Sequence, residues 1–354
     1  MPGHQVPGSG SRLSDAEALA LLGSNDLLSV GARADWVRRR LHPRPEATFV
    51  IDRNINYTNV CVSACRFCAF YASPGSGAGY VLSEEAIHRK IEETLALGGT
   101  AVMLQGGLHP DLDLRWYESL FAGIKARYPI HLHSLSPPEI AHIARRSGVS
   151  IEEALRRLRN AGLDSLPGGG AEILVDRVRS EISPHKISTN AWLEVMRYAH
   201  ALGMSSTATM MFGSLDTLAE RVEHLRRIRD LQDETGGFTA FIPWTFQAGS
   251  TELEAGHAAS TGYDYLRMLA VSRIYLDNVR NIQASWVTQG LRLGQVALAF
   301  GANDLGSTMI EENVVAATGI HHLCDVEDIV RAIRACGLTP VQRDSLYNEV
   351  RRWS

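Results

Sequence analysis

Cys61-Val62-Ser63-Ala64-Cys65-Arg66-Phe67-Cys68 decides how the rest of the chain is read. Three of the five cysteines fall within these eight residues, spaced C-x3-C-x2-C. One thiolate on each of three irons holds a [4Fe–4S] cluster and leaves the fourth iron without a protein ligand. Such an open iron can take a small molecule by its own donor atoms. A structural zinc instead wants four closed ligands. Cys324 and Cys336 lie far along the chain, and neither His88 nor His109 sits at zinc-finger spacing. An odd cysteine count in a long, cysteine-poor chain also argues against a disulfide framework.

At 354 residues the chain can bury a large core, as one big α/β domain or two smaller ones. It carries 35 basic against 39 acidic residues, net −4, and so lacks the basic excess of a nucleic-acid binder. No apolar run approaches the ~18 residues of a membrane span, so no membrane insertion is expected. The N-terminus shows no basic region followed by an apolar one, so no secretion signal is expected. An oxygen-sensitive cluster and free thiols predict a reducing, cytoplasmic setting.

Residues 1–13, rich in Gly, Pro and Ser at the start, predict a disordered tail. Ser14 reads as the N-cap of a helix ending near Leu22, and a second helix covers 30–41, stopped by Pro43. From there strands are predicted at 48–52, 101–104, 130–135, 164–166, 206–212, 238–243, 281–285 and 296–300. Helical periodicity fills the gaps, at 83 onward, 114–126, 136–146, 150–161, 188–202, 217–235, 262–279 and 326–336. Strands alternating with such helices predict a parallel sheet. Eight units fit a (β/α)8 barrel of TIM type, with a doubly wound open sheet as the alternative. With no linker inside the chain, one domain spanning 14–354 is expected: capping helices over 14–44, then barrel and C-terminal helices over 45–354.

In a barrel the reactive groups sit at the C-terminal ends of the strands, and polar stretches cluster there. Asn56 and Thr58 follow the first strand, and Gln105-Gly106-Gly107 the second. His131 and His133 alternate in the third, so both face the interior. Gly168-Gly169-Gly170 and Glu172 follow the fourth; the glycines lack the Lys-Ser/Thr of a nucleotide phosphate loop. Glu172 could instead be an acid at a helix N-terminus. Trp244, Trp286, Gln289, Asn303 and Asp304 complete a set suited to a polar organic substrate. His133 and Asp304 are the candidate bases; Glu311 and Glu312 could also serve, or simply open a helix. Cys324 and Cys336 read as buried structural residues, and Arg351-Arg352 as a solvated helix end.

The cysteine spacing resembles that of the radical S-adenosylmethionine (radical SAM) enzymes. Segments 53–70, 105–111, 136–144, 167–178, 208–213, 231–246, 281–290 and 300–315 are together similar to the cyclic dehypoxanthine futalosine synthases of the futalosine route to menaquinone. Gly301-Ala302-Asn303-Asp304-Leu305-Gly306-Ser307 and Ile242-Pro243-Trp244-Thr245-Phe246 carry much of it. Some segments are shared with aminofutalosine synthase and the deazaflavin synthase subunits, which are the alternative readings. A non-catalytic iron–sulfur carrier is a further alternative, and it would not need so many polar loop ends.

The resemblance implies that Cys61, Cys65 and Cys68 hold the cluster and that the open iron chelates SAM. Phe67 and Phe70 would lie against the cluster and the adenine, Gln105, Gly106 and Gly107 would meet the methionine amino group, and Glu172 a ribose hydroxyl or that amine. Asn56, Thr58, His131, Trp244, Trp286, Gln289 and Asn303 would line the substrate. It also implies a 5′-deoxyadenosyl radical that takes hydrogen from ribose C4′ of dehypoxanthine futalosine. The carbon radical adds to the benzoate ring, which then loses a proton and an electron. A flavodoxin or ferredoxin would supply the reducing electron. One departure is Ser214-Leu215-Asp216, where the resemblance leads one to expect His, an aliphatic residue and Glu.

Overall fold

In the computed structural model, which describes residues 12–255 and 258–353, the run 46–55 forms the first wall of a barrel and changes partners halfway. Its lower half is β1 (Glu46–Val50) and its upper half β2 (Asp52–Ile55), divided at Ile51. Then come β3 (Ala101–Leu104), β4 (His131–Leu132), β5 (Ser165–Leu166), β6 (Ser205–Phe212) and β7 (Phe238–Thr245). The last are β8 (Asn281–Ile282), β9 (Asp304–Ser307), β10 (Thr339–Arg343) and β11 (Glu349–Arg352).

β2, β3 and β4 pair in parallel, as do β5 to β8. A bridge from His133 to Ser165 joins the first group to the second, and one from Gln283 to Asp304 carries the sheet to β9. β9 returns to β1 in parallel register, Thr48 opposite Asp304. With β1 and β2 taken as one strand, eight parallel strands close among the described residues, so the open-sheet alternative is excluded. Short strands suffice because each is buried by a helix outside. Helix Ile151–Ala161, for example, turns Ala154, Leu155 and Leu158 inward.

The helix starts follow local chemistry. Ser14, Ser83, Ser150, Ser188 and Thr217 each accept a backbone N–H of the first turn, contacts worth about 1 kcal/mol apiece. The second helix begins earlier than expected, at Leu27, because Asp26 caps it.

The structure departs from three expectations. The segment 296–300 is not a strand; helix Leu291–Leu298 occupies most of it, burying Gly294, Ala297 and Leu298 at helical spacing. The eighth barrel strand is β9, short and polar. Arg351 and Arg352 belong to β11, which pairs antiparallel with β10, and Arg352 meets Glu46 and Glu349. Within the expected tail, Leu13 is buried and Arg12 bonds Asp233 and Asp277, while residues 1–11 lie outside the described set. No described helix is long and apolar enough to cross a membrane.

Candidate active site

A cavity of about 410 Å³ occupies the barrel interior, and its mouth is at the C-terminal strand ends. The first wall shows why the sequence builds it. Val50, Asp52, Asn54 and Asn56 all line the cavity, since alternate residues of a strand face one way.

The chain then turns into the cysteine loop, and Cys61, Cys65 and Cys68 all reach the cavity. The loop is pinned by its backbone. Cys61 N–H donates to Ala72 O, Val62 N–H to Leu108 O, and Arg66 N–H to Ile182 O. Ala64 takes a left-handed φ of 43°, which turns the chain between the first two cysteines. Burial pushes the thiols of Cys65 and Cys68 up, and the Lys186 ammonium draws both back. Among the described residues, no three metal-ligating side chains converge on a point that one ion could fill. Three thiols around one end of a cavity suit a cubane that takes one thiolate on each of three irons.

Gly106 and Gly107 have a specific role here. A Cβ on Gly107 would stand 2.2 Å from the carbonyl oxygen of Val60 and 2.9 Å from Cys61 Cβ. The glycines let the turn after β3 press against the cysteine loop itself. Gly107→Ala is therefore expected to displace the loop, overpacking of this kind costing about 1–3 kcal/mol. Iron and sulfide retained after reconstitution should fall while the far-ultraviolet circular dichroism is unchanged. A variant with full iron content would contradict this account of Gly107.

On the opposite wall Gly168, Gly169 and Gly170 also provide closeness. A Cβ on Gly169 would sit 2.2 Å from the Gln105 amide nitrogen. The loop they form is clamped by Arg179, whose buried guanidinium donates to Gly170 O, Ala171 O and Ile187 O. Glu172 is not at a helix N-terminus; the next helix starts at Asp176. It is 5% exposed, in a left-handed turn with φ 40°. Lys186 Nζ donates to its Oε1 at 3.0 Å, Arg179 stands 3.6 Å from Oε2, and Oε2 has no hydrogen-bond partner. Lys186 also lies 4.9 Å from the centre of the Phe67 ring. Glu172, Lys186 and Phe67 thus form one polar and aromatic patch beside the cysteines. Lys186 comes from the loop between two helices, and no local sequence pattern announces it.

The other expected residues divide. Phe67, Phe70, Gln105, Gly106, Gly107, Glu172, Asn56, His133, Trp244 and Trp286 all line the cavity. Asn56 is held on both sides, donating to Gln105 O and accepting from Asn313. Trp286 presents its ring while its indole N–H donates to Ser307 O. Five residues fall outside the lining. Thr58 is fully buried, bonded to Tyr80 O and Val60 N. His131 and His133 do share a face, each 2.7 Å from Ser165 Oγ, but only His133 reaches the cavity. Gln289 donates to Thr245 Oγ1. Asn303 is fixed by Arg273, Asn281 and Ile282 N.

Asp304 is no base. It is wholly buried, receives both arms of the Arg343 guanidinium, and also accepts from Thr48 and Gly306 N. His133 is a weak base, pushed down to about 3 by burial and then by His131 and Arg343, and so is neutral near pH 7. Glu311 pairs with Lys90 and Arg53, and Glu312 accepts the N–H groups of Val314, Val315 and Ala316. Ser214 donates to Asp216, which pairs with Arg221, so the departing Ser-Leu-Asp turn is closed on itself outside the cavity lining. Cys336 is exposed and Cys324 half-buried, which corrects the expectation that both are buried.

Residues 55–228 match the radical SAM superfamily, and residues 235–354 match the CofH/MqnC C-terminal region. The chain is 50% identical to cyclic dehypoxanthine futalosine synthase of Streptomyces coelicolor, over 97% of this chain and 86% of that one. It is 47% identical to the synthase of that name from Halalkalibacterium halodurans, over 97% and 93%. An Archaeoglobus fulgidus protein, 5-amino-6-(D-ribitylamino)uracil–L-tyrosine 4-hydroxyphenyl transferase, is 43% identical over 89% and 92%. Among solved structures, methylornithine synthase superposes with a TM-score of 0.75 at 19% identity, covering 94% of this chain and 95% of that one. That likeness extends to the fold.

Proposed function

Because the chain belongs to the radical SAM superfamily and, within it, to the family of the cyclic dehypoxanthine futalosine synthases, we infer that it is the cyclase that closes dehypoxanthine futalosine in menaquinone biosynthesis. Its cofactors are a [4Fe–4S] cluster and SAM. The observation that carries the site reading is that three cysteines and the Glu172–Lys186 pair line one cavity at the C-terminal ends of a parallel barrel.

Cys61, Cys65 and Cys68 are the residues that would hold the cluster. Bound there, the cluster and SAM would supply a 5′-deoxyadenosyl radical able to take a hydrogen atom from ribose C4′. The rest is the work of this chain. Phe67 and Phe70 give an apolar face beside the cysteines. Glu172, which lines the same cavity, offers a buried carboxylate oxygen that has no hydrogen bond and stands 3.6 Å from Arg179. That is the acceptor a ribose hydroxyl or an ammonium would need. Trp244, Trp286 and Ile242 line an apolar wall that excludes water and suits an aromatic ring. Holding the ribose carbon and the ring together in that space replaces an encounter by a positioned collapse.

Glu172→Gln keeps the shape and removes the charge. It is expected to weaken SAM binding about tenfold, in line with a charge-assisted contact of roughly 1.5–3 kcal/mol. Equilibrium binding of SAM to the reconstituted protein checks this, and an unchanged affinity would return Glu172 to a purely structural role.

A low-potential one-electron donor such as flavodoxin or ferredoxin fits the need for a reduced cluster. Five cysteines free of disulfides suit the cytoplasm. The function is tested by giving the anaerobically reconstituted protein SAM, a strong reductant and dehypoxanthine futalosine. Mass spectrometry should find product two hydrogens lighter than substrate, with 5′-deoxyadenosine released in step.

A further inference from the structure

Four carboxylates line the cavity: Asp52, Glu139, Glu172 and Glu312. Three are engaged. Glu139 accepts from Tyr57, Gly106 N and both the N–H and hydroxyl of Ser136. Glu172 meets Lys186 and Arg179, and Glu312 receives three backbone N–H groups. Asp52 differs. Its Oδ1 accepts from Ser307 Oγ, and its Oδ2 has no hydrogen bond to the described residues. Two positions on, along the same wall, Asn54 is 4% exposed, and its amide oxygen is buried without a partner. A buried amide left unsatisfied costs about 1–3 kcal/mol, so such a group in a cavity wall marks a place that a ligand completes.

We propose that the Asp52 carboxylate is the base that takes the ring proton after cyclisation, and that the Asn54 amide beside it holds the substrate within reach. This rests on the cyclase reading above. Addition of the ribose carbon radical to the benzoate ring leaves a cyclohexadienyl radical with one sp³ C–H. That bond breaks, its hydrogen leaves as a proton to form an O–H bond on Asp52, and both electrons stay on the ring as a radical anion. The anion gives one electron to a one-electron oxidant of the iron–sulfur class, which restores the aromatic ring. Asp52 then returns its proton to water.

The surroundings of Asp52 suit the task. Burial raises its carboxyl to about 6, against the Ser307 hydrogen bond and the Arg343 charge, while Asp304 adds to the rise. A base works best when its pKa lies near the working pH. Opposite it on β3 stands the uncharged Ala101. His133 and Tyr347 line the same cavity, and burial keeps both neutral near pH 7. Arg343 remains paired with Asp304 when the charge at 52 is removed, so Asp52→Asn should fold.

The experiment compares wild type and D52N as reconstituted enzymes with SAM, reductant and dehypoxanthine futalosine. In D52N, substrate-dependent release of 5′-deoxyadenosine should persist while cyclised product falls about 100-fold or more, the usual scale of a general base. Wild-type product formation should fall as pH drops through about 6, because the carboxylate becomes protonated there. D52N should lack that limb, and D52E should recover part of the product yield. Difference infrared spectra without SAM should show a carboxyl band growing in below the same pH, absent in D52N. Full product from D52N, or a wild-type profile flat through that range, overturns the role of Asp52 alone. A wild type that makes no cyclised product overturns the substrate reading together with it.

Discussion

Replacing Cys61, Cys65 or Cys68 by alanine is expected to abolish SAM cleavage. A cluster held by three thiolates loses one iron's sole protein ligand in each variant. No other thiol lines the cavity to replace it. The Ser63 hydroxyl faces Cys65 Sγ at 3.3 Å from within the loop. Iron content, visible absorption and the electron paramagnetic resonance of the reduced cluster should all collapse, and 5′-deoxyadenosine should fall to background. Cys324→Ala and Cys336→Ala serve as controls, since neither residue lines the cavity, and both should retain full cleavage. A Cys61, Cys65 or Cys68 variant that still forms 5′-deoxyadenosine would defeat the ligand assignment.

The largest expected effect on stability is at Arg343. It reaches up from β10 to hold Asp304 of β9, and neither side chain sees more than a trace of solvent. Arg343→Met leaves Asp304 charged, buried and half-unpaired. Breaking a buried pair in this way costs about 3–5 kcal/mol, which urea unfolding would register as a lowered midpoint. The double variant Arg343→Met with Asp304→Leu should recover much of the loss, because no charge is left stranded. Were Asp304 the catalytic base, Asp304→Asn would remove product and leave stability untouched. The geometry predicts the reverse weighting.

The parts legible in the sequence are those with local causes. The cysteine loop is a matter of spacing, and its three thiols do reach one cavity. Helix starts at Ser14, Ser83 and Ser188 are capping chemistry within four residues. The long strands β6 and β7 announce themselves by length and β-branched or aromatic content. The apolar run near 296–300 misleads because short apolar segments read equally as helix or strand. Its burial at 294, 297 and 298 decides for helix, and the strand that closes the barrel is the polar Asp304–Ser307, stabilised by neighbours on both sides.

The parts that were not legible are brought together across the chain. Asn303 and Asp304 carry much of the family resemblance, yet Arg273 and Arg343 tie up their side chains. Lys186 becomes part of the site only because the chain folds back onto Glu172 and Phe67. Asp52 reads as one polar residue in a strand until Arg343, Asp304 and Ser307 are seen around it. A one-dimensional pattern shows which residues could react. Which of them remain free to do so depends on the partners the fold supplies.

The central claim is that this barrel uses SAM to abstract hydrogen from the ribose and then releases the adenosyl group. The measurement that tests it most directly uses dehypoxanthine futalosine carrying deuterium at C4′, with SAM and reductant under anaerobic conditions. The account predicts one deuterium in the released 5′-deoxyadenosine and a cyclised product that has lost it. An adenosyl group found in the product, or 5′-deoxyadenosine free of deuterium, would contradict it.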